Sequence, residues 1–336
     1  MIEQHVEFHN VSEFKHLPTG GLQLLRFPSA VSQRLDDRGR WVANDAVGCE
    51  IRFVTPAKMI WVTLGVLPAD ADVVVFRGSF YHSRHTITTG VARTIVLEAT
   101  GPFESMKAEV QTGYPFATDV WRVVFVRQGG VFFGIETFGS PIRPPNPEEK
   151  PRKRWLAYGS SITHSNGYDG YPHQAARRLR VDVLNCGLSG SCHCEKEMAD
   201  HLASRGDWDI ATMELGINMR GGFTPEQFGE RADHLIRTMA KHNPDKPVAV
   251  ITHFPTDATH HANSSKSRER EIAFDDISRQ IVKSINSPKV RLIEGADVLD
   301  RFDGLSCDLV HPDGFGQTVM GENLARLLRP WIGEGK

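Results

Sequence analysis

Up to about residue 140, hydrophobic positions come in short clusters rich in Val, Ile, Phe and Trp. They are IRFVT (51–55), MIWVTL (59–64), DVVVFR (72–77), TIVLEA (94–99) and WRVVFV (121–126), with Gly, Pro or Asp between them. Branched and aromatic side chains suit a pleated, half-buried surface, so these runs predict strands. In VRQGGVFFGIE, Gly129 and Gly130 separate two such runs, which predicts a hairpin turn with positive φ. No convincing helical pattern interrupts the series, so residues 1–140 are expected to form an all-β antiparallel sandwich. SPIRPPNPEEKPRKR (140–154) follows, with five prolines and mixed charge. Proline fixes φ and lacks an N–H, so 141–153 reads as a stiff, solvated linker.

Beyond residue 154 the period changes. RWLAYG, VDVLNCG, WDIATMELG, PVAVITHF (247–254) and VRLIEG (290–295) read as strands, and YPHQAARRLR as a helix. TPEQFGERADHLIRTMAKH (224–242) predicts the cleanest helix. Thr224 can cap it, Pro225 suits the first helical position, and Gln227 completes a capping box. Phe228, Ala232, Leu235, Ile236 and Met239 fall at i, +4, +7, +8 and +11, a single helix face. A polar helical stretch precedes VRLIEG, and a closing helix is expected near 316–330. Strands alternating with helices predict an α/β domain over 154–336, with a parallel sheet covered on both faces. In such sheets ligands sit at the carboxyl ends of the strands.

Composition narrows the function. At 336 residues, with 40% hydrophobic and 24% charged positions, the chain is an ordinary soluble protein of about two domains. A net charge of −2 gives no reason to expect nucleic acid, and Arg152, Lys153 and Arg154 belong to the linker. MIEQHVEFHNVSEF has no apolar core, so no secretory signal is expected, and no run approaches the roughly 18 apolar residues of a membrane span. Cys49, Cys186, Cys192, Cys194 and Cys307 are odd in number, which fits reduced thiols in a cytoplasm better than disulfides.

The expected strand ends are rich in chemistry. The first runs into Gly159-Ser160-Ser161, the second into NCGLSGS (185–191), the third into ELGINM (214–219) and the fourth into THFPTD (252–257); CDLVHPDG (307–314) follows the fifth. Hydrolysis through a serine needs a nucleophile, a base, a carboxylate to orient the base, and donors for the oxyanion. GSSIT, NCGLSG, GIN and DLVHPD, in this order, resemble the four blocks of the SGNH hydrolases, also called GDSL esterases. The resemblance covers about 154–330. It implies a flavodoxin-like three-layer domain, here behind a jelly-roll-like sandwich as in some carbohydrate esterases.

Carried over position by position, the resemblance makes Ser161 the nucleophile, His311 the base and Asp308 its orienting carboxylate. The oxyanion donors would be the N–H groups of Ser161 and Gly190 and the side-chain amide of Asn218. Ser160 stands where the family has an aspartate that shapes the loop, and Met219 where an aspartate often follows the asparagine. A small acyl group, acetyl above all, on a saccharide or similar hydroxylated alcohol is the implied substrate. A lipid-type or thioester acylhydrolase is the alternative among enzymes. An inactive carbohydrate-binding or interaction protein is the alternative of another class, and a homo-oligomer built through the sandwich is compatible with any of these.

Other groupings carry less. GLSGS nearly matches the nucleophile elbow of α/β-hydrolases, but Ser191 replaces its last glycine and Ser189 lies in the glycine turn. Cys192, His193, Cys194 and Glu195 invite a metal, yet Cys-x-Cys lacks the usual two-residue gap and no second pair follows. No metal and no cofactor is expected. His253, His260 and His261 fall in an expected polar loop, where His253 is a candidate substrate-lining residue.

Overall fold

The computed structural model describes residues 1–99, 102–105, 107 and 113–332. The chain divides into two compact units. One comprises Met1–Ser29, Ala43–Arg152 and Asn166–Tyr168; the other comprises Ala30–Val42, Lys153–Ser165 and Asp169–Lys336.

The first unit holds two antiparallel sheets. One has the order β1 (Ile2–Glu3), β2 (Val6–His9), β5 (Glu50–Val54), β10 (Val120–Phe125), β7 (Ala71–Arg77) and β8 (Phe80–Ile87). The other runs β3 (Glu13–His16), β4 (Leu22–Leu25), β11 (Gly129–Glu136), β6 (Met59–Leu67) and β9 (Arg93–Glu98). Alternation explains the pairing of faces. Ile51, Phe53, Val73, Val75, Val123 and Phe125 of the first sheet meet Leu22, Leu24, Val62, Leu64, Ile95 and Leu97 of the second in one core. The intervening Glu50, Arg52 and Arg122 face the other way, where Arg52 Nε and Arg122 Nη2 donate to the Glu50 carboxylate at 2.7 and 2.6 Å.

The hairpin expected at Gly129-Gly130 is not formed. β10 and β11 belong to different sheets, and the positive φ of the crossing falls on Gln128, at 65°. Gly130 is required for space instead: a Cβ there would lie 2.6 Å from the Phe125 ring. The proline-rich run is tied to the first unit, since Val54 and Arg143 exchange backbone hydrogen bonds of 2.8 and 3.1 Å.

The second unit is built on a parallel sheet in the order β13 (Asp182–Gly187), β12 (Arg154–Gly159), β14 (Ile210–Glu214), β15 (Val248–Ile251) and β16 (Val290–Ile293). This is the flavodoxin-like order, and its switch point lies between β12 and β14. Every residue of β13, β14 and β15 is buried, as a sheet covered on both faces requires. Helices α1 (Asp37–Ala43), α2 (Ser161–His164), α3 (Tyr171–Leu179), α4 (Lys196–Ser204), α5 (Pro225–His242), α6 (Lys266–Ile285) and α7 (Gly314–Ile332) follow in chain order. Tyr171, Ala175, Leu324 and Leu328 pack α3 and α7 into a core with Trp155, Ala157 and Ile251. Thr224 caps α5, Gln227 closes the box, and the five predicted apolar residues are the ones it buries. Among the described residues no helix is long and apolar enough to cross a membrane.

Candidate active site

β12 delivers the first block to the switch point. Ser160 caps α2: its Oγ accepts from the Ile162 N–H at 3.2 Å. Its own N–H donates to Glu214 Oε2 at 2.7 Å, and Thr163 Oγ1 donates to the same oxygen at 3.1 Å. Glu214 ends β14 and is fully buried, which pushes its carboxyl up against the pull of Ser160 and Thr163. Gly159 leaves the room this needs, because a Cβ there would collide with Thr163 Oγ1 and Glu214 Oε2.

The second block is fastened to α2. Asn185 Nδ2 donates to the carbonyls of Thr163 and His164 at 3.1 and 3.2 Å, while its Oδ1 accepts from the Gly187 N–H at 3.0 Å. Beyond it, Gly190 turns at φ 71°, a conformation that favours glycine. Ser189 is held by its backbone, its N–H donating to His164 Nδ1 at 3.3 Å. The third block reaches back: Asn218 Oδ1 accepts from the Cys192 N–H at 3.0 Å. An amide whose oxygen is so engaged acts on a ligand through its NH2 group. Met219 is fully buried, so at this position the chain has a core side chain where an aspartate often follows.

Asp308 and His311 share a tight turn closed by the bridge between Leu305 and Pro312. Asp308 Oδ1 accepts from Ser306 Oγ and from the N–H groups of Val310 and His311, each at 2.9 Å. His311 Nδ1 donates to Asp308 Oδ2 at 2.7 Å, and Nε2 lies 2.7 Å from Ser161 Oγ. Slight burial works against the Asp308 charge, but these donors hold its carboxyl well below the usual range. Asp308 and His311 are about half exposed, so the serine–histidine contact is open to a ligand.

His253 is placed differently. It is buried, its Nδ1 lies 2.8 Å from Asp275 Oδ1, and its ring fills the space over Gly216 in the turn that carries Asn218.

Two contributors escaped the reading of the sequence. Glu214 carries one weak signal, a carboxylate closing an otherwise apolar strand. The segment Ala30–Val42 carries none, being about 150 positions away, yet it packs on the second block. Ser191 Oγ donates to Asp36 Oδ1 at 3.2 Å, His193 Nδ1 lies 2.8 Å from Asp36 Oδ2, and Arg38 Nε donates to the Ser189 carbonyl at 3.2 Å. Of the group considered for metal, Cys192 and Cys194 are buried, and burial pushes the Cys192 thiol well up. His193 and Glu195 instead join Asp36, with donor atoms within 4.8 Å of one another.

Residues 157–319 match the GDSL-like Lipase/Acylhydrolase family. No curated protein matches the chain. Among solved structures, the salicylyl-acyltransferase SsfX3 from a tetracycline biosynthetic pathway aligns with a TM-score of 0.78 at 12% identity, covering 96% of this chain and 94% of that one. A family two carbohydrate esterase from Cellvibrio japonicus gives 0.63 at 11% identity, over 98% and 96% of the two chains. A family two carbohydrate esterase from Clostridium thermocellum, in complex with cellohexaose, gives 0.63 at 13%, over 96% and 98%. At these identities the structures speak for the fold. The family match speaks for the chemistry: the second unit carries a GDSL-like lipase/acylhydrolase domain. Over residues 157–319 the chain is a hydrolase domain of the SGNH type, of the esterase or acylhydrolase kind.

Proposed function

We propose that the protein hydrolyses short acyl esters, acetyl above all, on hydroxylated substrates such as saccharides. The observation that carries this reading is the unbroken relay from Ser161 Oγ through the His311 ring to Asp308, with both links at 2.7 Å. Asp308 holds the proton on Nδ1, so Nε2 is free of hydrogen and takes the Ser161 proton as Oγ attacks the ester carbonyl. The oxyanion is stabilised by the N–H groups of Ser161 and Gly190 and by the Asn218 amide. His311 then protonates the departing alcohol and later activates water against the acyl-enzyme. The charged lining of the cavity formed by His193, Glu195 and Asp36 supports a hydroxylated alcohol over a long acyl chain. Buried reduced thiols support action in the cytoplasm.

The test is hydrolysis of p-nitrophenyl acetate, butyrate and octanoate by the wild type and Asn218→Ala. Acetate should be preferred, and Asn218→Ala should lower kcat by about 10²–10³. Turnover that rises with chain length would replace the deacetylase reading with a lipid-type one. An Asn218→Ala protein as fast as the wild type would remove that side chain from the oxyanion site.

A further inference from the structure

The loop that carries Gly190 runs on into a cavity of about 490 Å³ lined by Arg34, Asp36, His193, Glu195, Phe223 and Arg231, among others. His193 lies three positions beyond Gly190, a reach of at most about 11 Å even if extended. One wall of the cavity is therefore tied closely along the chain to Gly190, one of the proposed oxyanion donors.

The lining is unusual in what it leaves unmet. The Glu195 side chain is only 11% exposed, and neither of its carboxylate oxygens receives a hydrogen bond from another of the described residues. His193 Nδ1 stands 3.7 Å from Glu195 Oε1 and is already 2.8 Å from Asp36 Oδ2. Buried carboxylate oxygens without donors are rare, because the lost hydration is not replaced. Burial accordingly pushes the Glu195 carboxyl up. On the same cavity Arg34 forms no ion pair with any described carboxylate, whereas Arg231 is held, Nη1 donating to the His193 carbonyl at 3.0 Å and its guanidinium over the Phe223 ring.

A ligand for this lining has to offer hydrogen-bond donors to Glu195 and acceptors to Arg34. The signs are mixed, which weighs against either ion. Arg34, Lys196 and Arg231 repel a metal cation, and Asp36, Glu195, Glu197 and Glu230 repel an anion. A hydroxyl group is both donor and acceptor, and two on neighbouring carbons span the pair of requirements. Resting on the esterase reading above, we infer that the Asp36–His193–Glu195 cavity is a saccharide subsite, in which Glu195 accepts from a vicinal diol of the alcohol whose ester Ser161 attacks.

The test separates this subsite from the esterase reading by measuring binding without turnover. Xylotriose and, separately, Zn²⁺ are titrated by calorimetry into the Ser161→Ala protein and into the same protein carrying Glu195→Gln or Asp36→Asn. Thermal melts check that each variant is folded. Xylotriose should bind the Ser161→Ala protein, and either further substitution should weaken it at least tenfold. Equal affinity in all three proteins, or no xylotriose binding, overturns the subsite. Zn²⁺ bound in place of sugar, and lost with Glu195→Gln, assigns the cavity to a metal and overturns it equally. Failure of the esterase reading shows elsewhere, as a folded wild type that hydrolyses no p-nitrophenyl ester. With active wild type, the ratio of kcat/KM on acetylated xylotriose to that on p-nitrophenyl acetate should also fall at least tenfold in Glu195→Gln, through KM.

Discussion

The proposed nucleophile and its proposed base are held in opposite ways. Beneath Ser161 lies a sealed floor: Ser160, Thr163 and Glu214 are buried, and Thr163 Oγ1 also meets the Tyr171 hydroxyl at 2.7 Å. Above it, Asp308 and His311 sit about half exposed on a turn that is satisfied almost wholly by its own backbone and by Ser306. The floor fixes a position by excluding alternatives, since a displaced Ser160 N–H would find no water. The rim fixes an orientation by local hydrogen bonds and leaves room for substrate. Rigidity and access are thus assigned to different elements.

Substitutions at the two places should separate these roles. The largest effect is expected for Ser161→Ala, with kcat on p-nitrophenyl acetate down by roughly 10⁴–10⁶ and little change in melting temperature. Ser160→Ala should instead retain most of the turnover and lower the melting temperature. At the rim, Asp308→Asn should lower kcat by roughly 10²–10⁴ with a fold that melts near the wild type. At the floor, Glu214→Ala should invert that pattern. It orphans the Ser160 N–H and should cost about 1–3 kcal/mol in urea unfolding, while Glu214→Gln, which keeps an acceptor, restores most of it. If Glu214→Ala is as stable as the wild type, the floor is not what positions Ser161.

The smallest effect is in pH. Asp308 is depressed in the fold, so its stabilising contribution is present above its unfolded value near 4 and is lost as pH falls through the folded value. Glu214 is raised, so the fold favours its protonated form and stability declines as pH climbs from the unfolded value to the folded one. Unfolding measured from pH 3 to 8 should show Asp308→Asn flattening the acid side and Glu214→Gln flattening the decline above it. Parallel curves for both variants would mean that the two carboxylates do not differ in this way.

The rim was far more legible in the sequence than the floor. Asp308 and His311 are three apart, and everything that holds them lies within a few residues, so local spacing carried the information. The same is true of α5, whose cap, box and buried face are all written within 224–242. Glu214 acts on Ser160 across two neighbouring strands, a relation that only the sheet order creates. Strand β8 was hidden for a related reason: it is an edge strand with mixed exposure along FYHSRHTI, so it has no apolar face to advertise. At Gly129-Gly130 the glycines were legible but their purpose was not. Positive φ and lack of space both select glycine, and only the Phe125 ring decides between them.

The segment Ala30–Val42 gives the second unit a history in time. A chain leaving the ribosome presents its N-terminal parts first, so Asp36 and Arg38 emerge before the whole of 43–152 and long before Ser189, Ser191 and His193 exist to receive them. The hydrolase half is therefore not a cassette that can be lifted out at the proline-rich run. A gene cut at residue 153 would encode the proposed nucleophile, base and oxyanion donors, yet omit the pieces that pin Ser189, Ser191 and His193. Any exchange of modules between relatives of this architecture has to carry two separate stretches of gene together.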